Sequence, residues 1–281
     1  MRRLIALIGL TTVWQTSADL PATLDRIGAR VEQYYAHARS IVCTETVRIQ
    51  PLDSSLVPEG PGRQLVYELR VSWEPPADPA SPPDPTVLRQ IVTIDGRPPR
   101  AKDLLRGPRG LGCMDPKPVS IEPLAFLLPS RREEYTFKWA GAGRIDGKTS
   151  VMLEYQWISR RPPAVVWDDE CVKFEVPAVR GRLWADATTG DVLRIDESLM
   201  REFSMRPPRG HARAGEQWVV ERDESSIRYR QMAFHDPEES VMLPVSMNSI
   251  TVIRNGAVPR LRIVQEFSNY KRFMTEGRLV R

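Results

Sequence analysis

Leu65-Val66-Tyr67-Glu68-Leu69-Arg70-Val71-Ser72-Trp73 decides the fold class of this 281-residue chain. Leu65, Tyr67, Leu69, Val71 and Trp73 occupy alternate positions, with Glu68, Arg70 and Ser72 between them. A period of two belongs to a β-strand with one buried and one wetted face. The alternation returns in Tyr135, Phe137 and Trp139, in Val151, Leu153, Tyr155 and Trp157, in Ile227 and Tyr229, and in Leu261, Ile263 and Phe267. Ile41 to Gln50 and Val87 to Ile94 are further strand candidates. Between these runs stand Asp95-Gly96, Asp146-Gly147, Thr189-Gly190-Asp191 and Asn255-Gly256, which suit the positive-φ positions of tight hairpins. The expectation is a long antiparallel meander with one polar face and one apolar face that needs cover.

Cover comes from the few helical patterns. Leu24, Ile27, Val31, Tyr34 or Tyr35, and Ala38 recur at helical spacing opposite Asp25, Arg26, Arg30, Glu32 and Gln33. The spacing predicts an amphipathic helix over Pro21–Arg39, with Pro21 tolerated in its first turn. Val119 to Leu128, with Ser120 as N-cap, reads as a short second helix. Glu74 to Pro85 is proline-rich and reads as a stiff exposed loop, and Met205 to Gly215 as a flexible one. With no domain boundary evident, residues 19–281 are expected to form a single β-rich domain.

The first eighteen residues have a different logic. Arg2 and Arg3 precede the apolar run Leu4 to Val13, and Thr16-Ser17-Ala18 supplies small residues before Asp19. That order is a secretory signal peptide, and the run is too short to span a bilayer. No cysteine follows it closely, so a lipid anchor is not expected, and no later stretch reaches transmembrane length. The expected location is therefore periplasmic or secreted, and not integral to a membrane. The formal charge of +4 includes Arg2 and Arg3. The remaining arginines are interleaved with Asp and Glu, without the clustering a nucleic-acid partner requires.

No catalytic residue, metal site or cofactor is expected. Ala142-Gly143-Arg144-Ile145-Asp146-Gly147-Lys148-Thr149 approximates a phosphate-binding loop, but a strand pattern follows where such a loop must open a helix. His37, His211 and His235 fall in unrelated contexts. The acidic clusters Asp168-Asp169-Glu170 and Asp236-Pro237-Glu238-Glu239 lack calcium-loop spacing. Cys113 and Cys171, both in loop-like sequence, are the expected disulfide, leaving Cys43 as a small buried hydrophobe. Glu45 shares a strand face with Ile41, Cys43 and Val47, so it is either buried beside an arginine or placed at a cavity. Trp73, Phe137, Trp139, Trp157 and Trp184 either line an apolar groove or fill a core.

A helix running directly into Ile41-Val42-Cys43-Thr44-Glu45-Thr46-Val47-Arg48-Ile49-Gln50, followed by hairpins, is one half of a resemblance. The other is Gly181-Arg182-Leu183-Trp184-Ala185-Asp186-Ala187-Thr188-Thr189-Gly190-Asp191-Val192-Leu193-Arg194, with a closing Phe267-Ser268-Asn269-Tyr270-Lys271-Arg272-Phe273. The chain resembles the outer-membrane lipoprotein carrier and sorting-protein superfamily, and uncharacterised exported proteins of this layout. The resemblance implies an α+β, mainly β fold: a curved antiparallel sheet, an incomplete barrel, with an N-terminal helix and one or two short helices on its concave side. It implies a non-enzymatic protein binding a lipid or acyl chain in that cavity. An envelope protein-interaction or sensor module is the alternative, and a hydrolase stands behind both. Expression with the native leader should yield a chain beginning at Asp19, read by intact mass. An uncleaved Met1 would overturn the export reading.

Overall fold

The computed structural model describes residues 19–37, 41–74, 84–101, 122–158, 164–168, 171–175, 179–206, 217–235, 238–255 and 260–272. One helix, α1 (Leu20–His37), leads into strands β1 (Ile41–Leu52), β2 (Arg63–Glu74) and β3 (Asp84–Ile94). A short 3₁₀ helix (Glu122–Leu127) precedes β4 (Tyr135–Ile145), β5 (Lys148–Trp157), β6 (Ala164–Asp168) and β7 (Cys171–Glu175). There follow β8 (Val179–Asp186), β9 (Val192–Leu199), β10 (Phe203–Met205), β11 (Trp218–His235), β12 (Glu238–Arg254) and β13 (Arg260–Arg272).

Eleven strands form one antiparallel sheet in the order β3-β2-β1-β13-β12-β11-β9-β8-β5-β4, with β10 beside β11, while β6 and β7 pair separately. The sheet is not closed: β3 and β4 are its two ends. Tight turns set the register. Asp95 and Gly96 (φ 49° and 76°) and Asp146 and Gly147 (φ 48° and 81°) hold left-handed conformations, as Asp-Gly hairpins require. The loop-like sequence around Lys148 is thus the hairpin between β4 and β5.

Alternation puts Leu65, Tyr67, Leu69 and Val71 on the inner face, each at most 6 % exposed. Leu24, Ile27, Val31, Tyr34 and Tyr35 of α1 meet inner-face residues from β1, β2, β5, β8, β9, β11, β12 and β13 in one cluster. Leu124 to Leu128 complete that cluster. The sheet therefore curves around α1 and the 3₁₀ segment, which lie on its concave side. Fully burying an apolar side chain such as Ile27 or Val31 contributes about 1.5–3 kcal/mol, so this face is what α1 is for.

The hairpin joining β8 and β9 anchors α1. Asp186 Oδ1 accepts from the backbone N–H of Thr188 (2.8 Å) and Thr189 (3.0 Å), and the Gly190 N–H donates to the Asp186 carbonyl (2.9 Å). Gly190 has φ 79° and packs against Arg26, so a Cβ there would sit 2.9 Å from Arg26 Cγ. Beside it Arg30 Nε donates to Asp191 Oδ1 at 2.7 Å. The backbone N–H bonds to Asp186 outweigh its partial desolvation and hold its carboxyl below the usual range.

Glu45, wholly buried, interrupts the apolar interior near the other end of the sheet. Arg89 of β3 donates from Nε to Oε2 (2.7 Å) and from Nη2 to Oε1 (2.9 Å), and Gln265 Nε2 adds a bond to Oε1 (2.7 Å). The Arg89 guanidinium lies 3.8 Å from the Tyr67 ring centroid. A second core of Val47, Ile49, Leu65, Tyr67 and Ile94 lies beyond this pair.

Elsewhere the molecule departs from expectation. The described part of the expected second helix, Glu122–Leu127, is 3₁₀ and not α-helical, and residues 119–121 lie outside the described residues. Cys171 opens β7 instead of lying in a loop, because Cys171 to Glu175 pairs with Ala164 to Asp168. Cys113 and the Cys171 side chain, and so the expected disulfide, lie outside the described residues, as do the N-cap Ser120, residues 75–83 and residues 207–216. Strand pairing reaches Glu74 and Asp84 at one of these gaps and Met205 at the other. Cys43 is a free, buried thiol pushed up to about 12 by burial and by Glu45, against a hydrogen bond with Tyr270.

Arg89→Met should destabilise the protein by about 3–5 kcal/mol, because it leaves the Glu45 carboxylate buried without its cation. The double variant Glu45→Met/Arg89→Met should recover most of that loss. Urea unfolding followed by circular dichroism separates the two outcomes, and equal midpoints for Arg89→Met and wild type would refute the role of the pair.

Candidate functional site

The five aromatic groove candidates do not form one surface. Phe137, Trp139 and Trp157 share the inner face at the β4–β5 end. Trp184 points the other way, because its neighbours Leu183 and Ala185 are fully buried on the inner face. Its indole lies instead beside the guanidinium groups of Arg194 (5.0 Å) and Arg182 (5.9 Å). Trp73 lies on β2, opposite Pro85 of β3, and its side chain is outside the described residues.

What gathers at the β4–β5 end is a larger aromatic wall. Phe126 of the 3₁₀ segment stands 4.4 Å from Tyr155, 5.2 Å from Tyr135 and 6.2 Å from Phe137, ring centre to ring centre. Tyr135 in turn stacks on Trp157 at 6.1 Å. Alternation on β4 and β5 supplies four of these rings, and the apolar 3₁₀ turn supplies the fifth. Pairwise spacings of this kind add about 0.5–1.5 kcal/mol beyond area burial. Just beyond the segment, Arg132 opens a second 3₁₀ turn (Arg132–Glu134) and ties it to α1: its Nη1 donates to Asp25 (2.6 Å), its Nη2 to the Leu24 carbonyl (2.9 Å), and its backbone N–H to the Leu128 carbonyl (3.0 Å).

The wall is incompletely covered. Trp139 is 40 % exposed, while Tyr135, Phe137 and Trp157 are half-buried. Trp157 Nε1 is buried and has no hydrogen-bond partner among the described residues. Beyond Trp139, Gly141 (φ 127°) shifts the register between β4 and β5 and ends the aromatic run.

One acid faces this wall. Tyr155 donates its hydroxyl to Glu197 Oε2 at 3.1 Å, passing over β8 at Gly181. A Cβ on Gly181 would lie 2.4 Å from the Tyr155 ring and from the Asp196 carbonyl oxygen, so the crossing requires glycine. Desolvation raises the Glu197 pKa, with a further push from Asp223, against the Tyr155 hydrogen bond that lowers it. Burial, then Glu197, pushes the Tyr155 hydroxyl well above its usual value. Sequence reasoning missed Glu197 because its partner lies two strands away. The only local signal was a lone glycine inside a strand pattern.

The other acid singled out, Glu45, is saturated by Arg89 and Gln265 and stands apart from the wall. His235 is exposed, and His211 and the His37 side chain lie outside the described residues. Among the described residues no group of three His, Cys, Asp or Glu side chains is placed to hold a metal ion, and no helix is long and apolar enough to cross a membrane.

No family model matches the sequence, and no curated protein matches it. Similar solved structures include a LolA superfamily protein from Nitrosomonas europaea, at 12 % identity over 89 % of this chain and 94 % of that one, with a TM-score of 0.38. A DUF1329 family protein from Desulfovibrio piger is 12 % identical over 91 % and 94 %, with a TM-score of 0.41. A putative outer membrane lipoprotein-sorting protein domain from Vibrio parahaemolyticus is 8 % identical over 92 % and 94 %, with a TM-score of 0.44. These likenesses concern the chain path alone.

Glu197 binds its proton more tightly folded than unfolded, so its contribution to stability is complete below the ordinary carboxylate pKa and is lost as pH rises through the raised one. Urea midpoints of wild type should therefore fall relative to Glu197→Gln as pH is raised from the ordinary carboxylate pKa towards neutrality. Parallel profiles for the two proteins would refute the assignment.

Proposed function

We propose that this protein is a non-catalytic carrier that works in the periplasm after export and takes an acyl chain against the inner face of its sheet. The observation that carries the reading is the aromatic wall at the unpaired β4 end, left half-open beside a short 3₁₀ segment. Acyl chains gain about 0.8 kcal/mol for each CH₂ withdrawn from water, so such a wall needs no catalytic group to be useful. Ile27, Val31 and Leu127 fill the interior in the closed form, so the chain enters by displacing the 3₁₀ segment from Tyr135, Phe137 and Tyr155. That segment is the cheapest part of the cover to move, since its two 3₁₀ turns have poorer hydrogen-bond geometry than the turns of α1. Trp139, already exposed, is the first contact.

Titration with a dansyl-labelled fatty acid tests this. Saturable binding with a blue-shifted emission is expected, and Trp139→Ser should weaken it by about tenfold, the factor that matches loss of roughly 1.4 kcal/mol of apolar burial. An Arg132→Ala variant, which releases the turn after the 3₁₀ segment from Asp25 and Leu24 of α1, should bind faster. Absence of saturable binding, or binding indifferent to Trp139, overturns the reading.

A further inference from the structure

The face of the sheet turned away from α1 carries a feature that acyl binding does not use. A broad open trough of about 780 Å³ crosses it from β4 to β13. Its depth has a simple origin. Ser198, Ser226 and Asn248 give the central strands a low, hydrogen-bonding floor, while Lys138, Arg180, Trp184 and Arg262 stand taller around it.

The charges within the trough are arranged unequally. Three of its acids are ion-paired: Arg182 Nη2 donates to Glu154 (2.6 Å), Arg194 donates twice to Asp196 (2.8 Å each), and Arg222 Nη2 donates to Glu224 (2.7 Å), while the fourth, Glu197, accepts from the Tyr155 hydroxyl (3.1 Å). Lys138, Arg180 and Arg262 have no anionic partner among the described residues. Three cations without an ion pair among the described residues therefore border a polar floor. Trp184, flanked by Arg182 and Arg194, presents a ring whose cation contacts hold it in place.

The spacing of those cations selects the ligand. Lys138 and Arg180 are two strands apart, and Arg262 is four strands beyond Arg180. At about 4.8 Å per strand the three extend over roughly 29 Å, too far to converge on one phosphate. An extended polypeptide of about nine residues covers that distance. Its carboxylates would meet the spaced cations, and its backbone amides the serine and asparagine floor. We propose that this trough is a docking site for an extended acidic segment of a partner protein, held by Lys138, Arg180 and Arg262 and by stacking on Trp184. Lys138, Arg180, Trp184 and Arg262 lie on the opposite face from the aromatic wall, and the trough borders that wall at Tyr155 and Glu197.

Fluorescence anisotropy with a fluorescein-labelled peptide of alternating glutamate and serine tests the proposal on the mature protein. Saturable binding that weakens as salt is raised is expected. Arg180→Glu/Arg262→Glu should lower affinity by about tenfold or more. The charge-matched control Arg48→Glu/Arg70→Glu, at exposed ion pairs outside the trough, should bind as wild type. Equal weakening by both variants would reduce the effect to overall charge and overturn the site. So would equal binding of a glutamine–serine peptide, or no binding at all. Preferential capture of anionic phospholipid vesicles, lost in Arg180→Glu/Arg262→Glu, would reassign the trough to a membrane surface and likewise overturn the proposal.

Discussion

An antiparallel sheet that stops short of closing keeps one apolar face, and the rest of this molecule depends on holding α1 over that face. Hydrophobic burial drives the helix down but does not say where along the sheet it rests, because burial is non-directional. Direction comes from the β8–β9 hairpin. Asp186 shapes the turn, Gly190 lets it approach Arg26, and Asp191 takes the Arg30 side chain. A sequence element that looks like a family emblem is thus a mechanical one. It fixes the middle of α1 at Arg26 and Arg30, and Arg132 then ties the turn that follows the 3₁₀ segment to the helix's first half. Cover, curvature and the half-open aromatic wall follow in that order.

Polar groups inside the sheet divide it into regions with different tasks. The Glu45–Arg89–Gln265 cluster joins β1, β3 and β13 where the second core begins, with Arg89 and Gln265 both donating to Glu45. Burying such a pair is weak evidence for added stability, since desolvation offsets attraction. Its geometric effect is clearer: Arg89 sets the position of edge strand β3. The sheet also forks. Among the described residues β12 and β13 pair between Ser246 and Thr251 on β12, and towards the other end of β12 Tyr270 donates to the Pro244 carbonyl while Arg272 meets Glu239. Proline is tolerated at 244 because that stretch of β12 has a partner on one side only.

Much of this was legible in the residues. The alternation in Leu65 to Trp73 and the Asp-Gly turns specify strands and hairpins, because each depends on neighbours in the chain. Glu45 was conspicuous for the same reason, as an acid on an otherwise apolar face. The parity of Arg182-Leu183-Trp184-Ala185 carried enough information to separate Trp184 from the other tryptophans, since Leu183 and Ala185 are the better core residues. What could not be read is what strand order creates. Tyr155 and Glu197 meet only because β5, β8 and β9 are adjacent. The trough's paired and unpaired arginines are likewise a consequence of register, which no local window contains.

Tyr155 reaching Glu197 across Gly181 also bears on how this sequence can drift. None of the three positions is free to change alone. A side chain at 181 evicts the tyrosine ring, a phenylalanine at 155 leaves a desolvated carboxyl without its donor, and an apolar residue at 197 strands the hydroxyl. Two mutations in succession pass through an intermediate worse than either end. The three positions therefore form a single evolutionary character, inherited or replaced as a unit. Among divergent relatives, tyrosine, glycine and glutamate at these places should appear together or be absent together, long after the identities of the surrounding strands have been lost.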